Sequence, residues 1–268
     1  MHQFRCNIGA GPQIPMHSKN PDFPIDSAII ESFSKYARSY EKYAQIQISM
    51  AERLASMLPE KLPDRALEVG CGTGVFTKHL LAHSPQNLIV NDISKAMIEN
   101  LISNIILPEN HKIVTGNAET TPFEKVNLIT ANAVFQWFQN PVTTLGKMKE
   151  LLKPQGQLIF SVFGPQTLVE FRNISGIGSP ATLRGQNEWK AIMQTSGFRK
   201  IQSDVEIRKT FTPNCRNLLK VLQQIGAAPL RMFSGSKLRK VIRDYDKNYS
   251  NSQGVYATWE LYYFSASF

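Results

Sequence analysis

A run of apolar residues ends in three glycines within five positions: "LEVGCGTGVF", residues 67–76. Glycine loses more backbone freedom on folding than any other residue and offers nothing to pack. A chain that spends three of them directly behind a strand-like run needs the backbone bare there, at a sharp turn that something approaches closely. Few folds place such a turn usefully. In an open parallel sheet it falls at the carboxyl end of a strand, where ligands bind near the point at which strand order reverses.

The surrounding pattern fits that sheet. "RALEV" (65–69), "NLIVND" (87–92), "HKIVTG" (111–116), "VNLITAN" (126–132) and "GQLIFSVF" (156–163) read as strands. "GVFTKHLLAH", "SKAMIENLISNI" and "NPVTTLGKMKELLKP" between them read as helices, the second capped by Ser94. Strands alternating with helices predict an α/β fold: a Rossmann-like, doubly wound, mostly parallel sheet. Two helical parts lie outside the alternation. Residues 26–58 form one long stretch with Asp26 as cap and Phe33, Tyr36, Ala37, Tyr40 and Ala44 on one face. Late in the chain, two strand-like runs flank a helical insert, 213–254, with Thr212 capping and Pro213 in the first turn. This insert reads as a lid or acceptor-binding element. Residues 1–25, with four prolines and no apolar core segment, read as a poorly ordered leader rather than a signal peptide, ahead of a single domain over 26–268.

Composition narrows the setting. No run of about 18 apolar residues is present, so no membrane-spanning helix is expected. Cys6, Cys71 and Cys215 are too far apart for a metal-binding pair, which fits a reducing, cytoplasmic location. The net charge of +9 favours an acidic partner, although a solvated basic surface accounts for it equally. A nucleic-acid-binding motif is not evident.

The glycine spacing is GxGxG, because Val75 and Thr77 stand where the dinucleotide fingerprint requires glycine. That argues against a pyrophosphate cradle. Asp92 closes the second strand 18 residues after Gly74, where a carboxylate can accept hydrogen bonds from a ribose diol. An Asp in a turn role would look the same.

With these residues stated, the chain resembles class I S-adenosylmethionine-dependent methyltransferases through "LEVGCGTGVFTKHL", "NDIS", "GNAETTPF" and "NLITANAVFQWF". It is similar, more closely, to the malonyl-[acyl-carrier protein] O-methyltransferases of biotin synthesis, through "FSKYARSYEKYAQIQ", "FSVFGPQTLVEF" and "LLKVLQQIGA". The resemblance implies a cofactor, S-adenosyl-L-methionine, held by Glu68, Gly70, Cys71, Gly72, Gly74, Asp92, Ile93, Asn117, Ala118 and Asn132. Asn117 departs from the family's usual Asp-Ala, keeping an acceptor but no charge. It implies as acceptor the free carboxyl of a malonyl thioester on acyl-carrier protein, with Tyr40, Gln136 and Trp137 beside the reaction and Asn132 and Ala133 bordering the methyl. Arg172, Arg184 and Arg231 are candidates for the acceptor carboxylate; Lys220, Lys237, Arg239, Lys240 and Arg243 are candidates for docking the acidic carrier. Two other readings stay open: methylation of a free small acid such as an aconitate, and a respiratory-complex assembly factor on the same fold.

Overall fold

A computed structural model describes residues 25–227 and 234–268, which form one α/β layer structure. Strands β1 (Arg65–Val69), β2 (Asn87–Asp92), β3 (Lys112–Thr115), β4 (Val126–Asn132) and β5 (Leu152–Phe163) are parallel in the order β3-β2-β1-β4-β5. The order reverses beside β1, so β1 and β4 splay a crevice at their carboxyl ends. Two long antiparallel strands extend the sheet. β8 (Gly254–Ser267) lies between β5 and β6 (Lys200–Thr212), and the short β7 (Ser250–Asn251) pairs with β8.

The central parallel strands are buried on both faces and read as continuous apolar runs for that reason, β1 as Ala66, Leu67 and Val69 and β4 as Leu128, Ile129 and Ala131, whereas the edge strand β3 is largely exposed. Helices α4 (Thr77–Ala82), α5 (Lys95–Asn104) and α6 (Pro141–Leu151) complete the alternation. Ser94 caps α5 as expected, accepting from the Met97 amide at 3.3 Å. Two helices stand beyond the expected set: α7 (Val169–Ser175) and α8 (Gln186–Thr195), the latter sealing Trp189 and Met193 against the sheet.

The helical stretch ahead of β1 is not continuous. It breaks into α1 (Ile25–Tyr36), a 3-10 turn (Ala37–Ser39), α2 (Tyr40–Tyr43) and α3 (Gln45–Ala55). The break at Ala44 (φ −84°, ψ 37°) lets α3 pack on the sheet while α1 and α2 arch over the crevice. Helix α1 begins at Ile25, so Asp26 falls inside its first turn rather than before it. In the late insert, helices α9 (Cys215–Gln224) and α10 (Gly235–Asn248) are joined by residues outside the described set. The cap of α9 is Asn214, accepting from the Asn217 amide at 3.1 Å, and not Thr212; Pro213 precedes the cap. An Asn side chain reaches the third amide of the helix, and Thr212 is still paired to Val255 in the sheet. The insert meets the N-terminal arch where the Ser39 hydroxyl donates to Gln224 Oε1 at 2.5 Å. The expected leader, apart from Ile25, and Arg231 lie outside the described residues.

Candidate functional site

Two cavities open at the carboxyl ends of β1 and β4, with volumes of about 780 and 690 Å³. Phe33, Tyr40, Ala133 and Trp137 line both, so the two chambers meet at a common wall.

The larger chamber contains the glycine turn. Gly70 and Gly72 adopt positive φ, +67° and +56°, and both face it. A Cβ on Gly72 would meet nothing within 4 Å, so that position is bare toward open space. Gly74 has another reason for its missing side chain. A Cβ there would collide with Ile105 and crowd Leu101, so Gly74 lets α5 and the segment after it close on the turn and does not line the chamber. Glu68 is likewise beneath the turn: it is 1% exposed and accepts from the Thr77 hydroxyl at 2.7 Å. Burial pushes its carboxyl up to about 8; the Thr77 hydrogen bond opposes this and the charge of Asp92 adds to it. Cys71 is buried, with its amide spent on Asn91 O at 2.9 Å. Gly74, Glu68 and Cys71 therefore build the turn from behind instead of lining the chamber.

Asp92 does reach it. Its Oδ2 accepts from the Gly72 amide and its Oδ1 from the Ser94 amide, both at 2.8 Å. A carboxylate has about four acceptor sites, so Asp92 keeps acceptor capacity for a ligand hydroxyl beyond these bonds. The same bonds tie the end of β2 to the glycine turn, so Asp92 also has the turn role that its residue type allows. Ile93, Met97, Ala118 and Phe138 give this chamber an apolar side. Asn117 lines it too, with Oδ1 accepting from the Glu119 amide at 2.8 Å. Asn132 borders it, but its amide is committed: Nδ2 donates to Gln47 O at 3.0 Å and Oδ1 accepts from the Ser161 hydroxyl at 2.7 Å. That network fixes Ala133, a non-glycine residue at φ 58° whose amide donates to Ser161 O at 3.0 Å. A left-handed alanine at the common wall is the kind of backbone strain that concentrates at functional sites.

The smaller chamber is mostly apolar, walled by Phe163, Leu168, Phe171 and Trp259, with Ile225 and Ala227 reaching in from the insert. Its polar lining includes Gln47, Gln136 and Arg172. Gln136 is 2% exposed; its Nε2 donates to Ala133 O at 2.7 Å, and its Oε1 has no partner. In the "AVFQWF" stretch the aromatics divide. Phe135 belongs wholly to the core, between Phe138 and Phe160; Phe138 faces the larger chamber; Trp137 faces both. Tyr40 stands with Trp137 at the wall, both set edge-on to Phe33. Its phenol is shifted strongly upward, first by burial and then by the charges of Asp92 and Glu41, so it stays protonated. Of the two candidate arginines within the described residues, Arg172 lines a chamber. Arg184 pairs with Glu188 at 3.1 Å and lies over the Trp189 ring.

The helix that carries Arg172, and the turn at Leu168 that leads into it, went unread in the sequence, although Arg172 itself was a candidate. Leu168 sits at φ 55°, a conformation that leucine does not advertise. The polar clamps that hold it, Glu170 to Thr258 and Glu260 to Gln166, cross about 90 residues of chain.

Residues 40–206 match a family model described as a methyltransferase domain. The chain belongs to this methyltransferase family. This methyltransferase is 31% identical over 267 residues to a malonyl-[acyl-carrier protein] O-methyltransferase of Brevibacillus brevis, covering 89% of this chain and 95% of the relative. It is 32% identical to malonyl-[acyl-carrier protein] O-methyltransferase 2 of Ilyobacter polytropus, covering 87% and 94%. Neither the small-acid reading nor the assembly-factor reading is favoured by these relatives. Among solved structures, phosphoethanolamine N-methyltransferase 2 of Haemonchus contortus in complex with S-adenosyl-L-methionine superposes with a TM-score of 0.56 at 15% identity, over 92% of this chain and 60% of that one. At that identity the match speaks for the doubly wound fold. Among the described residues no helix is long and apolar enough to cross a membrane.

Proposed function

We propose that this methyltransferase esterifies the free carboxyl of a malonyl thioester carried on acyl-carrier protein, the methylation that the name of its relatives describes and that biotin synthesis uses. The observation that carries the reading is the shared wall: two chambers touching only at Phe33, Tyr40, Ala133 and Trp137. Such a pair holds two reactants apart except where one atom must pass.

The larger chamber fits S-adenosylmethionine. Gly72 leaves its backbone bare toward the open space, Asp92 keeps lone pairs for a diol, and the apolar side suits a purine. When bound there, that cofactor supplies a sulfonium methyl, which a carboxylate oxygen takes up as the new C–O bond forms and the C–S bond breaks. The chain's own residues then have three tasks. Phe33 and Trp137 keep water from the wall, which strengthens the attraction between acceptor and methyl donor. Asn132, Ser161 and Gln47 lock Ala133 so that the wall does not shift. Tyr40, kept protonated by burial, offers a hydroxyl for orientation and cannot serve as a base near neutral pH. None is needed, because a carboxylic acid with a pKa of about 4 is already ionised.

The insert acts as lid and docking element. Lys220 on α9 and Lys237, Arg239, Lys240 and Arg243 on α10 are exposed and of one sign, a match for an acidic carrier. The buried thiols of Cys71 and Cys215 suit a cytoplasmic enzyme. The test is mass spectrometry of malonyl-carrier after incubation with enzyme and cofactor. A gain of one methyl supports the reading. No gain, with a free dicarboxylic acid methylated instead, overturns it.

A further inference from the structure

Among the described residues, Arg172 is the one Lys, Arg or His side chain that lines either chamber. It lines the smaller, apolar one. One of its guanidinium nitrogens, Nη2, donates to the Pro165 carbonyl. Its Nε–H is buried and has no partner. No carboxylate of the described residues pairs with it. A buried donor left unmet is costly, and a charged donor more so, unless something else meets it. Glu170, two residues away in sequence, and Glu260, which holds the Gln166 amide, are both spent elsewhere. Glu170 accepts from the Thr258 amide at 3.1 Å and from the Thr258 hydroxyl. Glu260 accepts from the Gln166 amide at 2.7 Å and from the Tyr262 hydroxyl at 2.8 Å. These carboxylates clamp the segment that carries Arg172 onto β8. They hold the arginine in place and leave its Nε–H for a ligand.

Two other buried polar ends in this chamber have the opposite sense. Gln47 Oε1 and Gln136 Oε1 are buried acceptors without partners. For Gln136 the amide orientation is fixed, because its Nε2 donates to Ala133 O at 2.7 Å. A carboxylate has only acceptors to offer and gains nothing from either oxygen. An anion entering this chamber therefore has one charged partner, Arg172, with the neutral Tyr40 hydroxyl as a further donor.

We propose that Arg172 is the specificity-determining residue for the acceptor: it recognises the terminal carboxylate of the acyl group before that carboxylate is methylated. The proposal rests on the acceptor named above. Charge recognition by Arg172 would select acyl groups that end in a carboxylate and pass over acetyl and longer alkyl groups of similar width. It would also favour product departure, since the methyl ester has lost the charge that Arg172 holds.

The test compares binding of malonyl-carrier, acetyl-carrier and the methyl ester of malonyl-carrier, each with S-adenosylhomocysteine present so that no turnover occurs. The wild type should prefer malonyl-carrier roughly ten- to hundredfold over the other two. R172Q should abolish that preference and raise KM for malonyl-carrier by a similar factor, with the Kd for S-adenosylmethionine within about twofold of wild type. R172K, which keeps the charge but not the planar fork, should restore part of the preference, and it carries the test if R172Q melts early. A preference that survives in R172Q overturns the assignment. So does a lost preference accompanied by an equal loss of cofactor affinity, which would mark Arg172 as structural. A wild type that never methylates malonyl-carrier would instead overturn the acceptor, a result that mass spectrometry reads separately.

Discussion

Single residues at the glycine turn separate binding from folding. Gly72 and Gly74 are two positions apart and both adopt positive φ, but a Cβ on the first points into open cavity and on the second into Ile105. Gly72→Val should abolish measurable S-adenosylmethionine binding while the protein still melts cooperatively, with a backbone penalty of about 1–2 kcal/mol. Gly74→Ala should do the reverse, lowering the melting temperature with a smaller effect on Kd. Calorimetry on both variants decides; equal binding losses would erase the distinction. Asp92→Ala should weaken cofactor binding by about 1.5–3 kcal/mol, the range for hydrogen bonds to a charged group, and an unchanged Kd would move the diol elsewhere. Glu68 belongs to stability instead. Its carboxyl is lifted by burial to about 8, so the folded protein keeps a proton that the unfolded chain releases near its ordinary value of 4.5. Between those values the native state binds more protons than the unfolded state, and stability falls as pH rises. Urea unfolding of the wild type should show this decline from about pH 5 to pH 8, and Glu68→Gln should flatten it. A slope that persists in the variant would assign the decline to another group.

At the scale of elements, the strands, α4 to α6 and the insert were legible because each is specified locally. Apolar runs, Ser94 as a cap and the glycine turn all lie within a few residues of what they determine. The arch ahead of β1 was not. Its helical periodicity runs on through Tyr36 and Ala44, and the breaks come from packing: α1 and α2 cover the crevice while α3 lies on the sheet. Helices α7 and α8 escaped notice for a related reason. Neither begins with a residue whose side chain caps it: Leu168 precedes α7 in a left-handed conformation, and Gly185 precedes α8. Gly72 and Asp92, singled out by position alone, do line the larger chamber. Glu68, Cys71 and Gly74 were drawn toward the cofactor by their neighbours in sequence, though their side chains or missing side chains face the core. The insert offers an element-scale check. Leu222 is fully buried against the body of the protein. Leu222→Ala should cost about 2–5 kcal/mol of stability. If the insert is a lid, the variant should impair turnover of the carrier substrate more than cofactor affinity, and equal effects on both would argue that the insert is mere scaffold.

For the whole molecule, the sign and location of charge matter more than the total of +9. Exposed basic residues on α10 lie on the insert that lines the smaller chamber. The rate with malonyl-carrier should fall as salt is added, because attraction between exposed charges is screened beyond about 10 Å at 0.1 M. Reversing Lys237, Arg239 and Lys240 together should weaken carrier affinity and leave S-adenosylmethionine affinity unchanged, as a titration of each ligand would report. A salt-independent rate would place the carrier on another surface.

The position of β8 has a consequence for how the molecule comes into being. It follows every other strand in chain order, yet it lies between β5 and β6. During vectorial synthesis the glycine turn, Asp92 and β1 to β5 emerge first and can assemble as a unit. The smaller chamber cannot, because Trp259 and the clamps from Thr258 and Glu260 all belong to β8. Until β8 arrives, the thirteen residues of β6 have no strand to pair with, and Val205 and Ile207 stay about half exposed even once it has. A nascent chain of this enzyme thus completes the larger chamber well before the smaller one, and it passes through a stage in which the backbone edges of β6 are unpaired, which invites association between chains.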